Sequence, residues 1–300
     1  LLKIAYHPIY KHPLPEGHKF PMAKYELLPA QLLREGTCTE ENFFEPQVLD
    51  DHHIIQVHDS IYYDDLIHKR INGIAARRIG FPLSDKLILR ERIIADGTIK
   101  GCDFALDHGI AMNIAGGTHH AYSNRAEAFC LLNDQAIAAR YLLDTAKAEK
   151  ILIIDLDVHQ GNGTAEIFSD ESRVFTFSMH GAGNYPFQKE KSDLDIPLKK
   201  GTSDQEYLGI LEQQLELLLH GLEPDFIFYL SGVDILETDK LGTLSLSKEG
   251  CRQRDEMVLT ACYKAEIPVQ CSMGGGYSRD IEIIVDAHAN TFRLAQQIWF

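Results

Sequence analysis

Short apolar runs alternate along the chain with longer stretches in which apolar residues recur every three or four positions. The runs at 3–6 (KIAY), 110–114 (IAMNI), 151–157 (ILIIDLD), 173–179 (RVFTFSM), 225–231 (DFIFYLS) and 267–272 (IPVQCS) are short, β-rich and bounded by turn residues. They predict strands. The helical period predicts helices near 59–70, 86–107, 133–148, 204–220, 247–264 and 279–298, with Asn133 or Asp134 and Ser203 placed as N-caps. Near-continuous apolar strands separated by helices predict one α/β domain over 1–300, a mostly parallel sheet covered by helices on both faces. The first hundred or so residues are less regular. The segment YHPIYKHPLPEGHKFP (6–21) has too many prolines for a regular element, and an ordered surface segment is expected there.

In such sheets ligands bind beyond the carboxyl ends of the strands. Five loops deliver polar residues to that edge: GGTHHA (116–121), DLDVH (155–159), SMHG (178–181), SGVD (231–234) and SMGGGY (272–277). In an extended chain Asp155, Asp157 and His159 point one way and Ile154, Leu156 and Val158 the other. Oxygen, oxygen and nitrogen then stand together, a combination that zinc accepts at about 2.0–2.2 Å. Asp234, directly after its strand, offers a further ligand. The plainer reading of Asp155 and Asp157 is that they cap a helix starting near Gly161, and His159 with Asp234 weighs against it. The adjacent His119 and His120 are suited to acid and base work, each needing an orienting partner on its far nitrogen, with Asp155 and Asn162 available. Tyr277, after three glycines, is placed to donate its phenolic hydrogen to an oxyanion.

Composition narrows the partner. The formal charge of −15 argues against non-specific phosphate or nucleic-acid binding and is compatible with a basic partner such as a lysine-bearing tail. Six scattered cysteines, with no C-x-x-C among them, suggest a reducing compartment, so a cytoplasmic protein is expected. No leader pattern is recognised, and no apolar run approaches the ~20 residues a membrane span needs. The chain starts at Leu1 and not Met, so a short preceding piece is expected.

The stretches GGTHHA, AFCLLND, DLDVHQGNGT, TFSMH, LSGVDILETDKLGTLSLS and GGGYS resemble, in order, the motifs of the zinc-dependent histone deacetylase family. VDILETDKLGTLSLS and HKFPMAKYELL most resemble its class IV branch and bacterial relatives. The resemblance implies the arginase–deacetylase fold and hydrolysis of acyl-lysine amides by water activated at zinc (Zn2+). It makes Asp157, His159 and Asp234 the zinc ligands, His119 and His120 the tandem histidines, and Tyr277 the transition-state tyrosine. Asp155 would orient His119 and Asn162 would back His120, which an amide leaves less basic than a carboxylate would. Phe129 and Tyr185 would wall the acyl-lysine channel, with Leu241 at its rim and Gly275 and Gly276 beside it. Tyr185 departs from the usual Phe, Ala128 replaces a common Gly, and Met273 stands where some members have Gly. A structural potassium (K+) is also implied, held by Asp155, Ser178 and main-chain carbonyls of Asp157, His159 and Met179.

Three rivals share parts of this reading. A binuclear manganese ureohydrolase needs additional bridging carboxylates that VHQGN and SGVDIL lack. A deacetylase of acetylated polyamines would use the same site on a small acylated amine. A non-catalytic acyl-lysine-binding module is disfavoured because every expected catalytic residue is present.

Overall fold

The computed structural model describes residues 1–300. Its elements are β1 (Lys3–Ala5), α1 (Lys24–Arg34), β2 (Phe43–Phe44), α2 (Asp51–Ile55), α3 (Ser60–Ile67), α4 (Gly73–Ile79), α5 (Asp85–His108), β3 (Ile110–Asn113), α6 (Asp134–Asp144), β4 (Ile151–Asp155), α7 (Asn162–Ile167), β5 (Val174–Gly181), β6 (Leu194–Leu198), α8 (Asp204–Leu222), β7 (Phe226–Leu230), α9 (Lys248–Lys264), β8 (Val269–Ser272) and α10 (Ile281–Trp299). All eight strands join one sheet, in the order β2-β1-β3-β8-β7-β4-β5-β6. Every neighbouring pair is parallel. The four central strands β3, β8, β7 and β4 are buried at every position, which is why they read as apolar runs without alternation. One continuous core of 77 buried side chains unites the sheet with its helices, as expected of an α/β domain.

The caps show how the sequence sets the helix boundaries. Asn133 accepts from Ala136 N at 3.1 Å and starts α6. Ser84 accepts from Leu87 N at 3.1 Å and starts α5, which stops at Gly109 in the left-handed region (φ 85°). Ser203 does stand at the N-cap of α8, but its side chain makes no capping bond. Asp204 instead turns to the Ser247 hydroxyl, 2.6 Å away, and ties α8 to the start of α9.

One expectation needs correction, and two elements, α1 and β6, were not predicted. The segment 6–21 is not a surface segment throughout, because Tyr10, His12 and Phe20 are buried. Helix α1 carries Pro29 in its interior, which hid it from a pattern reading; burial of Tyr25, Leu28 and Leu32 holds it in place. Strand β6 contains Pro197 and is mostly part-exposed, as only an edge strand can be. No helix of the structure is long and apolar enough to cross a membrane.

Candidate active site

The carboxyl ends of β3, β4, β7 and β8 lie side by side at the centre of the sheet, and the loops leaving them meet. Strand β4 ends at Asp155, so 156–161 is a bent loop and not the extended continuation expected. The alternation nevertheless survives. Leu156 and Val158 are fully buried in the core, while Asp157 and His159 turn to the cleft. Hydrogen bonds fix the bend: Asp157 N donates to Asp155 Oδ1 at 3.1 Å, and Val158 N to Asp234 Oδ1 at 2.9 Å.

Asp157, His159 and Asp234 bring three ligand atoms within 4.8 Å of one another, all buried. His159 Nδ1 lies 2.9 Å from Asp157 Oδ1 and 3.2 Å from Asp234 Oδ2. Asp234 Oδ2 is buried without any hydrogen-bond partner, an expensive arrangement unless a cation covers it. Burial opposes charge on His159, yet the two carboxylates outweigh it and push its pKa up to about 10. The cluster therefore draws in positive charge, and its oxygen–nitrogen–oxygen donors suit a divalent ion such as zinc. The glycine loop after β8 presses on it: Gly275 N donates to Asp157 Oδ2 at 2.8 Å. A Cβ on Gly275 would stand 2.2 Å from Asp234 Oδ2, so only glycine fits.

Beside the cluster stand the two histidines, ring centroids 4.1 Å apart and both buried. His119 Nδ1 is 2.6 Å from Asp155 Oδ2, and His120 Nδ1 is 2.6 Å from Asn162 Oδ1. The partners make the pair unequal. Burial disfavours the charged form of both, but Asp155 and Asp157 outweigh it at His119 and hold its pKa above the ordinary value. At His120 burial is reinforced by His119 and His159, and its pKa falls well below the ordinary value.

His119, His120, Asp157 and His159 line a cavity of about 360 Å³. Phe129 and Tyr185 form part of its wall, Leu241 is 40% exposed at the rim, and Tyr277 reaches in beside Phe129, ring centroids 6.3 Å apart. Burial and the nearby Asp157 and Asp234 keep the Tyr277 phenol protonated, its pKa well above the usual value. Gly275 lines the cavity but Gly276 does not; a Cβ there would meet Val233 and Ile284. Ala128 and Phe129 both adopt left-handed backbone (φ 44° and 70°) although neither is glycine. Their N–H groups donate to the carbonyls of Arg78 and Ile79 at 2.8 and 2.7 Å, which anchors the strained turn to the end of α4. Ser178 pairs in register with Asp155, and Met179 follows it on β5. Met273 is buried in the core.

A family model described as the histone deacetylase domain matches residues 18–292. The chain belongs to the histone deacetylase family. Histone deacetylase 2 of Arabidopsis thaliana is 30% identical over 286 residues, covering 92% of this chain and 74% of that protein. An uncharacterized protein of a Picosynechococcus strain is 44% identical over 296 residues, 99% of each chain. The crystal structure of an HDAC homolog from Aquifex aeolicus matches the fold with a TM-score of 0.81 at 24% identity, over 97% of this chain and 82% of that one. Family membership makes the chain a deacetylase-type hydrolase.

Several residues of this histone deacetylase site had no role assigned to them from the sequence. Phe20, hidden in the proline-rich segment, packs against Phe129 (5.2 Å) and Tyr277 (5.9 Å). Glu127 accepts from the Tyr185 hydroxyl at 2.6 Å and from Arg125 at 3.1 Å, which accounts for a tyrosine in the wall. Lys24, fully buried on α1, donates to Gly274 O at 3.0 Å. Arg254, fully buried on α9, donates to the carbonyls of Leu156 and Gly232 beneath the ligand cluster. A polar residue on the inner face of a helix is the one clue such struts leave in a sequence.

Proposed function

We propose that this protein is a zinc-dependent lysine deacylase that hydrolyses acyl-lysine side-chain amides in a protein or peptide. One observation carries the reading: two histidines with unlike partners face a buried Asp157–His159–Asp234 cluster at the foot of an aromatic channel. When bound there, zinc supplies Lewis-acid polarisation of the amide carbonyl and lowers the pKa of water. The chain's own groups do the rest. His120 takes a proton from the attacking water through Nε2, because Nδ1 is committed to Asn162. Its imidazolium, backed by an amide and not a carboxylate, gives that proton up readily to the departing lysine nitrogen. His119, its Nδ1 held by Asp155 at 2.6 Å, keeps its ring oriented beside the reacting carbon. Tyr277 donates to the carbonyl oxygen as negative charge grows on it. Carboxylate and free lysine result.

The mouth favours lysine over a free polyamine. A polyamine brings a second ammonium that wants a carboxylate. Glu127, an acid near the wall, is already held by Tyr185 and Arg125, and the rim presents Leu241 and Phe187, the latter 89% exposed. The register of Asp155 beside Ser178 supports a structural potassium under the same loops. Six unpaired cysteines, all buried, support a reducing, cytoplasmic setting. The stretch LETDKLGTLSLS supports a place beside the class IV branch.

The deciding experiment compares hydrolysis of lysine peptides carrying acyl chains from two carbons upward with hydrolysis of acetylated polyamines, on enzyme of measured zinc content. Faster turnover of the polyamines would overturn the lysine reading. Full activity and metal content in Asp234→Ala would overturn the metal site.

A further inference from the structure

His120 hangs on a chain of hydrogen bonds that has a direction. Asn162 Oδ1 faces His120 Nδ1 at 2.6 Å. The other end of the same amide, Nδ2, donates to the Tyr122 hydroxyl at 3.0 Å. That hydroxyl donates its one hydrogen to Glu190 Oε1 at 3.1 Å. Each member is held in place. Asn162 is fully buried and Tyr122 nearly so. The Arg125 guanidinium lies 3.4 Å from the centre of the Tyr122 ring. The Glu190 backbone is pinned to the ligand loop by Gln160, through bonds of 2.7 and 2.9 Å.

Direction matters because an asparagine has two unlike ends. Turned over, Asn162 would offer an N–H to His120 Nδ1. The imidazole would then carry its hydrogen on Nε2, facing the cleft, where it could accept nothing. His120 cannot choose between the two arrangements for itself, since either tautomer has a partner. Tyr122 can choose. With its hydrogen spent on the Glu190 carboxylate, its oxygen only accepts. The amide nitrogen of Asn162 must face it, the amide oxygen must face His120, and the hydrogen must sit on Nδ1. An aspartate at 162 would need no such device, because its two oxygens are alike.

We propose that Tyr122 and Glu190 are positioning residues that set the tautomer of His120 through the amide of Asn162. This deepens the deacylase reading and rests on His120 as its base. The test uses the full-length, zinc-loaded protein labelled with 15N-histidine. Long-range proton–nitrogen spectra report the tautomer, with the His120 signals identified by their loss in His120→Gln. The parent should show a single Nδ1–H form. Tyr122→Phe should show mixed tautomers and a kcat lower by about 3–10-fold, with KM and zinc content unchanged. Glu190 is exposed, so Glu190→Ala keeps the fold and should shift the tautomer the same way. In an Asn162→Asp background, Tyr122→Phe should cost nothing further. A single Nδ1–H form in both Tyr122→Phe and Glu190→Ala would overturn the proposal. So would an equal cost of Tyr122→Phe with Asn or Asp at 162, since that is the mark of mere packing. If His120→Gln stays active, the base assignment fails on its own account, whatever the spectra show.

Discussion

The guanidinium of Arg254 donates to the carbonyl of Gly232 at 2.8 Å. The same Nη1 reaches Leu156 O at 3.2 Å, so one helix side chain ties the loop of Asp157 and His159 to the loop of Asp234. Asp255 stands 2.7 Å from Arg254 Nε, and both residues are fully buried. Arg254→Met strips these carbonyls of their donor and leaves a buried carboxylate short of its cation. Losing one partner of such a pair costs about 3–5 kcal/mol. Urea unfolding monitored by circular dichroism should show that loss, with zinc bound more weakly. An unchanged midpoint would mean that the strut is redundant.

The sequence made the catalytic edge legible because its residues sit in loops directly after apolar strands, where a polar side chain is conspicuous. His119, His120, Asp157, His159, Asp234 and Tyr277 all stand out in this way, and the structure brings them together. The supports were not legible. Arg254 and Lys24 lie on helices, where a charged residue reads as solvent-facing until its neighbours are known. Phe20 belongs to a proline-rich segment and turns inward to pack on Phe129 and Tyr277, rings that lie far from it in the chain. Such roles arise from contacts between residues far apart in the chain, as with Lys24 and Gly274, and no local pattern encodes them.

His58 gives the fold a built-in acid sensitivity. It is buried, lies 2.9 Å from Tyr122 O through Nδ1 and accepts from Asn133 N at 3.0 Å through Nε2. Accepting from Asn133 N requires the neutral ring, and burial pushes its pKa down from 6.5 to about 4. The unfolded chain therefore binds the proton more readily than the native one between those values. This contribution to stability is complete above pH 6.5 and is lost as pH falls toward 4, an effect on the order of 3 kcal/mol. Unfolding free energies measured at pH 7 and pH 4 should differ less in His58→Gln than in the parent. Parallel pH dependence in the two proteins would show that His58 is not the group responsible.

Ala128 holds a left-handed backbone (φ 44°) just before the channel phenylalanine. A Cβ in that region costs about 1–2 kcal/mol, part of which glycine returns as extra freedom in the unfolded chain. Ala128→Gly should raise stability by about 0.5–1 kcal/mol, read as a small rise in the thermal midpoint. Activity should persist, since the bonds to Arg78 O and Ile79 O are made by main-chain N–H groups. A fall in the midpoint would mean that the Ala128 methyl contributes packing that outweighs the strain.

Tyr277 offers the sharpest test of the chemistry. Its main-chain N–H donates to Asp239 Oδ2 at 2.6 Å, and its ring is flanked by Phe20 and Phe129, so the phenol is aimed before substrate arrives. Removing the hydroxyl leaves the ring, those contacts and the Asp157–His159–Asp234 cluster in place. Substrate affinity should therefore change little. The hydroxyl matters when the carbonyl oxygen gains charge, and deleting one fixed donor of that kind lowers kcat by about 10²–10³. Tyr277→Phe should show that fall in kcat at unchanged zinc content, with KM held within a few fold. If the tyrosine only packed against the glycine loop, Tyr277→Phe would turn over substrate at nearly the parent rate. Steady-state kinetics on the metal-loaded variant separates the two outcomes, because phenylalanine preserves everything that packing needs and nothing that proton donation needs.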